Sequence, residues 1–417
     1  MRHVTVVGGG VIGVTSAWWL AEAGFYVTLV ERGEIAGAAS QRNGGQLSYR
    51  YVAPLADAGV PQKALQWMFE QDGPLRFRLE ADPRQWIWLA QFLARCTAGA
   101  NRRTTARLLG LGELSRVSMA QLESAVPLHE FAWRDAGKLV VYRSAKPFQA
   151  AANRPAQDGD TRREVLSAQQ CVEREPALAA VKDTLAGGIF NSGEAVADCH
   201  AFCLALTAKL KTHPRFVGVL QQEVRGFQMD AGRITGLRTD QGLHKADAYV
   251  LAAGIQSRNL AAAVGIKLPL YPLKGYSLTA PIGPQHRAPE ISVTDFERKV
   301  LYARIAGNLR VAAMVDMVGE DLTLDSERIA SLTRIASSTM PDAADYSQAE
   351  PWAGLRPATP SSSPILGATQ YDNLWLNVGH GPLGFTFACG SAAILADLVA
   401  GKAAPIPLEG LTLADWR

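Results

Sequence analysis

The first thirty-one residues constrain this chain most, because they read strand, glycine turn, helix, strand and acid in unbroken order. His3 to Val7 is short, apolar and β-branched, and it runs directly into Gly8-Gly9-Gly10-Val11-Ile12-Gly13. Gly8, Gly10 and Gly13 satisfy G-x-G-x-x-G. The first permits a tight turn, the second lets backbone approach a pyrophosphate, and the third allows close helix–strand packing. A helix over about 11–23, with Val11 and Ile12 in its first turn, aims free N–H groups and the positive dipole end at that phosphate. Gly24 stops the helix, and Tyr26 to Val30 forms a second strand ending at Glu31. A carboxylate there accepts hydrogen bonds from a ribose diol. These features in register predict a dinucleotide site.

With 417 residues, 48% of them hydrophobic, the chain has length for two or three domains. A net charge of +3 and the lack of basic clusters interleaved with aromatics argue against a nucleic-acid partner. Five scattered cysteines form no disulfide framework. Cys199 and Cys203, four apart on an expected helix, read as packing rather than as metal ligands. The N-terminus reads as the first strand rather than a signal peptide, and no apolar run is taken as membrane-spanning. The expected location is cytoplasmic, either free or peripheral on the inner face of the cytoplasmic membrane.

Residues 36–47 are small and glycine-rich, with Ser40, Asn43, Gly44, Gly45 and Gln46. That composition suits backbone passing close to a ligand, and equally a crossover loop. Residues 63–122 are expected to be helical. Their Trp-rich stretch from Gln85 to Arg95 fits a membrane-surface helix or, the reading preferred, core packing. Residues 131–142 read as two strands turning at Ala136-Gly137, and residues 145–163, with Asp158-Gly159, as polar surface structure. Asp198 caps an expected helix. Strands are expected at 216–222, 224–229, 233–239, 248–252, 275–279, 299–304, 309–313 and 373–378, with a helix at 326–340. A second strand–glycine–helix unit closes the chain through Gly379-His380-Gly381-Pro382 and a helix over about 383–400. That last unit implies a cofactor domain assembled from separate pieces, with a substrate domain inserted between them.

This layout resembles the FAD-dependent amine and amino-acid oxidoreductases of the D-amino-acid oxidase/glycine oxidase superfamily, and within it the bacterial D-amino-acid dehydrogenases. The resemblance runs nearly end to end. It is carried by Gly8 to Gly13, Asn43-Gly-Gly-Gln-Leu47, Pro272-Leu-Lys-Gly-Tyr-Ser277, Gly354-Leu-Arg-Pro357 and Gly379-His-Gly381. It implies an α/β (α+β) fold: a discontinuous FAD-binding Rossmann-like domain with an inserted antiparallel-sheet substrate domain carrying extra helices. The expected boundaries are 1–50, 164–258 and 346–417 for the first, and 51–163 and 259–345 for the second.

By resemblance, Gly8, Gly10, Gly13 and Glu31 hold the adenosine diphosphate end of FAD, and Arg32 flanks its adenine or ribose. The block from Asn43, with Ser40, Gly45, Gln46 and Leu47, lines the ribityl chain and flavin. Val224 meets the adenine, and Ala253-Gly254 closes over the pyrophosphate. Gly379, Gly381, Leu383 and Gly384 begin the last helix, whose N-terminus suits negative charge on the flavin pyrimidine ring. Arg356 is expected to grip the substrate carboxylate through its guanidinium fork. Tyr276, Tyr302 and Tyr49 or Tyr51 read either as substrate-facing or as packing. His380 is expected to be a wall residue rather than a base, because the resemblance implies hydride transfer from a neutral amine.

No cysteine occurs in residues 351–373, so the FAD is expected to be noncovalent. The implied electron acceptor is a quinone or another carrier. Departures from the family pattern at Ser48-Tyr-Arg-Tyr-Val52, Ser361 to Ser363, Pro382 and Phe385 cluster where specificity is expected. They place D-proline and 4-hydroxy-D-proline beside D-alanine as candidate substrates. A glycine/sarcosine-type amine oxidase, a NAD-dependent dehydrogenase, and a flavoprotein subunit or oligomer within a larger complex are the competing readings.

Overall fold

The computed structural model describes residues 2–70, 72–153 and 162–416. The Asp158-Gly159 turn expected from sequence lies outside those residues. A six-stranded sheet orders Ile365–Ala368, Leu374–Val378, Ala248–Leu251, His3–Val7, Tyr26–Glu31 and Phe216–Gln221, all parallel except the first. Strands from the beginning, middle and end of the chain therefore share one sheet, as the closing strand–glycine–helix unit implied. Its central strands are buried on both faces, which is why they read as continuous apolar runs. Val4 and Val6 pack with helices Val11–Glu22 and Gly384–Val399, while Val7 and Leu251 pack with Phe227, Leu237 and Ile255 opposite.

The second sheet is mixed and nine-stranded. It runs Glu350–Ala358, Tyr271–Pro281, Asn308–Met317, Val300–Ile305, Ser292–Asp295, Lys138–Tyr142, Gly187–Asn191 and Arg163–Leu166, with Leu75–Phe77 beside Asn308–Met317. Strict alternation gives it two unlike faces. Leu139, Val141, Val293, Val311, Tyr276, Leu278 and Tyr302 pack with Leu332, Ile335 and Ala336 of helix Ser326–Thr339. Lys138, Thr294, Leu301, Ala312, Ser277, Gly275, Trp352 and Arg356 face a cavity on the other side.

Several expectations need correction. Strands Arg163–Leu166, Gly187–Asn191 and Glu350–Ala358 pair in the nine-stranded sheet, although the expected boundaries gave nearly all of their residues to the cofactor domain. Long-range pairing decides sheet membership, and local patterning carries no record of it. Residues 131–136 are not a strand: Leu128–Phe131 is a 3₁₀ turn, and Arg134 makes a single bridge to Val196. The helical region is broken by strand Leu75–Phe77 between Val60–Phe69 and Pro83–Arg95. Residues Ala145–Ala152 form a helix. Gly381–Val399 is apolar and long enough to cross a membrane, contrary to the sequence reading. It packs between helices Val11–Glu22 and Ala98–Leu122 with two thirds of its length buried, which makes it a core helix.

Candidate cofactor and substrate site

A cavity of about 1860 Å³ runs from Glu31 and Arg32, at the end of strand Tyr26–Glu31 in the six-stranded sheet, to Arg356 on the nine-stranded one. At its first end, the glycines are dictated by contact. A side chain on Gly8, whose φ is +111°, would place Cβ 2.6 Å from the Ala252 carbonyl oxygen. On Gly13 it would overlap the Gly8 carbonyl oxygen. Gly13 is thus a packing residue behind the turn and does not line the cavity, whereas Gly8, Gly10, Val11 and Ile12 do. Ser40 Oγ accepts from Val11 N at 3.0 Å. Glu31 holds the turn from the second strand, accepting from Gly9 N at 2.6 Å and Gly33 N at 2.9 Å. Arg32, Val224, Ala253 and Gly254 line the same end.

The segment from Arg42 to Ser48 crosses the nine-stranded sheet nearly one strand at a time. Ser277 Oγ donates to Arg42 O at 2.8 Å, and Arg310 donates to Asn43 O at 2.6 Å. Gly44 lies against Leu301 and Ala312. Gly45, with φ +63°, is pressed onto Ile305 and the Ala197 carbonyl, so a side chain there is excluded twice over. Gln46 donates to Ser292 Oγ, and Lys138 Nζ then reaches Gln46 Oε1 at 2.6 Å and Ser48 Oγ at 3.0 Å. Asn43, Gly45 and Gln46 line the cavity, while Leu47 is buried in the core behind.

Arg356 and Gly275 sit on neighbouring antiparallel strands, with Leu273 opposite Arg356 and Gly354 opposite Gly275. The guanidinium lies over Gly275, in the volume a side chain there would need. Its one hydrogen bond among the described residues goes to Met314 O at 2.9 Å. That carbonyl is aimed by a β-bulge in which Met314 adopts φ +68°. Burial pulls the Arg356 pKa down to about 10, against a weaker opposing pull from Asp316, and no carboxylate among the described residues pairs with it. A desolvated guanidinium facing a cavity, with no ion-pair partner among the described residues, is chemically suited to hold a carboxylate.

Gly379 and Gly381, with φ of +82° and +53°, turn the last strand into helix Gly384–Val399, and with Leu383 and Gly384 they line the cavity. His380 is buried between them. Its Nε2 meets Ser391 Oγ at 3.1 Å, and burial pushes its pKa down to about 3. It is therefore a neutral, internally bonded ring. Tyr302 points away from the cavity into the core beneath the sheet, while Tyr276, packed in the same core, still contributes to the cavity wall. Tyr276 donates to Asp316 at 3.0 Å, and burial raises both phenol pKa values. Tyr51 lines the cavity and Tyr49 is buried behind it.

Sequence reasoning did not single out Lys138 and Arg310. Their only local signal is a cation in a strand that otherwise reads apolar, on the face opposite the core residues. Burial lowers their pKa values, Lys138 to about 8 and Arg310 to about 10.

The cavity, the glycine turn, the acid after the second strand and the helix aimed in from the far end together fit FAD. The model of the FAD dependent oxidoreductase family matches residues 3–398. This chain belongs to that family. Among similar curated proteins, D-amino acid dehydrogenase 2 of Pseudomonas aeruginosa is 46% identical over 411 residues, covering 98% of both chains. D-amino acid dehydrogenase 2 of Ralstonia nicotianae is 42% identical over 423 residues, covering 99% of this chain and 100% of its own. The same fold recurs in glycine oxidase from Geobacillus kaustophilus at a TM-score of 0.73, with 21% identity and 99% of both chains covered. It recurs again in L-proline dehydrogenase from P. horikoshii at 0.74, with 18% identity and 100% and 97% covered. The fold class read from the sequence holds: a mixed α/β flavoenzyme with a Rossmann-like cofactor unit.

Proposed function

We propose that this flavoenzyme is a D-amino-acid dehydrogenase that holds FAD noncovalently. The observation that carries the reading is Arg356: a half-buried guanidinium, in no ion pair with any acid among the described residues, facing the cavity that suits FAD. The curated relatives supply the D-amino-acid class. Bound FAD supplies the hydride acceptor at its N5. Gly8, Gly10, Glu31, Arg32, Val224 and Gly254 would hold the adenosine diphosphate, and Ser40, Asn43, Gly45 and Gln46 the ribityl and flavin end. Leu383 and Gly384 would meet the flavin at the last helix N-terminus.

Arg356 fixes the substrate carboxylate with both nitrogens of its fork and so sets which Cα–H bond is presented. Its positive charge also disfavours a second cation beside it, which promotes loss of the ammonium proton to water before reaction. The neutral amine then loses hydride from Cα, and the imino acid hydrolyses to a 2-oxo acid and ammonia. His380 takes no proton in this reading, because its burial holds the ring neutral.

Four of the residues that line the cavity, Leu79, Trp86, Leu93 and Leu322, are large, apolar and exposed. These exposed apolar side chains support delivery of electrons to a quinone at the inner face of the cytoplasmic membrane. The reading is tested by mixing the holoenzyme anaerobically with D-alanine, D-proline, 4-hydroxy-D-proline, glycine, sarcosine and the L-isomers while following flavin absorbance. Bleaching by a D-compound and not by its L-isomer is the expected outcome; bleaching by none would overturn the reading. Sustained peroxide production in air would identify an oxidase instead.

A further inference from the structure

Lys138 opens strand Lys138–Tyr142 and is buried, yet it lines the cavity. Its ammonium meets Gln46 Oε1, Ser48 Oγ and, at 4.3 Å, the face of the Tyr51 ring. Its register neighbours, Asn191 and Ser292, are neutral. The charged group facing it is Glu194, whose two carboxylate oxygens are turned instead to Tyr49 N and Arg50 N, at 2.5 and 2.8 Å. Glu194 partly offsets the burial of Lys138 electrostatically, but among the described residues no carboxylate makes a salt bridge with it. A buried cation without an ion-pair partner is destabilising on its own. Two of the three groups it gathers belong to the segment that crosses the sheet along the cavity, Tyr51 follows three residues later, and the cavity takes a polyanionic cofactor.

We propose that Lys138 is a positioning residue for the cofactor: as an ammonium it pins Gln46, Ser48 and Tyr51 in place, and FAD affinity depends on that positive charge. The inference rests on membership of the FAD-dependent family and not on the identity of the substrate. Burial holds the Lys138 pKa near 8, so the charge is lost within an accessible range. The sign is distinctive. A lysine whose pKa is lowered on folding lets the unfolded chain bind more protons, so the FAD-free protein gains stability as pH rises through about 8. FAD affinity falls over the same interval. A residue that merely filled space would move neither.

The test measures the FAD dissociation constant of the full-length protein from about pH 7 to about pH 9, together with the melting temperature of the FAD-free form. Wild type is expected to bind FAD several-fold more weakly at the alkaline end. Lys138→Met is expected to bind several-fold more weakly already at neutral pH, without that pH dependence, while its FAD-free form melts no lower than wild type. Lys138→Arg keeps its charge and is expected to bind tightly throughout. Wild-type affinity and pH dependence in Lys138→Met would overturn the proposal. So would an alkaline weakening in Lys138→Arg equal to that of wild type, a comparison that decides the matter even where Lys138→Met does not fold.

Discussion

Gly275 and Arg356 share one volume: the guanidinium of Arg356 occupies the space in which a Gly275 side chain would sit. The glycine is therefore a rest for the arginine, set diagonally across an antiparallel pair. Gly275→Ala is expected to push the guanidinium off Met314 O and raise KM at least tenfold (about 1.4 kcal/mol). The flavin spectrum and FAD affinity should stay as in wild type. A Gly275→Ala enzyme with unchanged KM would show that Arg356 does not bind substrate from this position.

Removing the arginine itself asks for more. Arg356→Leu deletes the only cation seen over Gly275, and truncating one partner of a buried charge pair costs about 2–5 kcal/mol. The corresponding loss in kcat/KM is roughly thirtyfold to several thousandfold. Arg356→Lys should recover only part of it, because an ammonium cannot offer the two-pronged fork. Steady-state kinetics on the substrate found by anaerobic bleaching measures both.

His380 predicts an acid limb to stability rather than to catalysis. Burial holds its folded pKa near 3, against about 6.5 in an unfolded chain. Below about 6.5 the unfolded state binds the proton and the folded state does not, so stability falls as pH drops toward 3. The loss is on the order of a few kcal/mol. Denaturant titrations across that range should show a shallower slope in His380→Gln than in wild type. A change in the pH dependence of kcat between about pH 6 and pH 8 would contradict the neutral-wall role.

Helix Pro83–Arg95 presents Trp86 and Ile87 to solvent, 48% and 58% exposed, while Trp88 on the same helix is buried and donates to Ala358 O at 2.9 Å. The packing reading holds for the buried face, and the exposed face is where a membrane contact is to be tested. The exposed side should bind vesicles of anionic phospholipid. Replacing Trp86, Ile87 and Leu93 together by Gln is expected to abolish co-sedimentation without altering the flavin spectrum. Wild-type protein that stays in the supernatant would remove the membrane from the proposed function.

What could be read along the chain was whatever depends on close neighbours in sequence. The turn from Gly8 to Gly13, Glu31 after the second strand, and Gly379 and Gly381 before the last helix each announce themselves by spacing, because turn geometry and helix dipoles are local. Arg356 was legible only through the motif around it. Nothing in its neighbours says that its hydrogen-bond partner is Met314 O, since that carbonyl is aimed by a bulge on another strand. Only the tertiary structure could turn Tyr302 wholly into the core and leave Tyr276 between core and cavity, because a one-residue shift in register exchanges the faces of a strand. Lys138 was invisible for the same reason: a lysine opening a strand is ordinarily solvated. It acquires its role when Gln46, Ser48 and Tyr51, about ninety residues earlier, are folded across it and water is excluded.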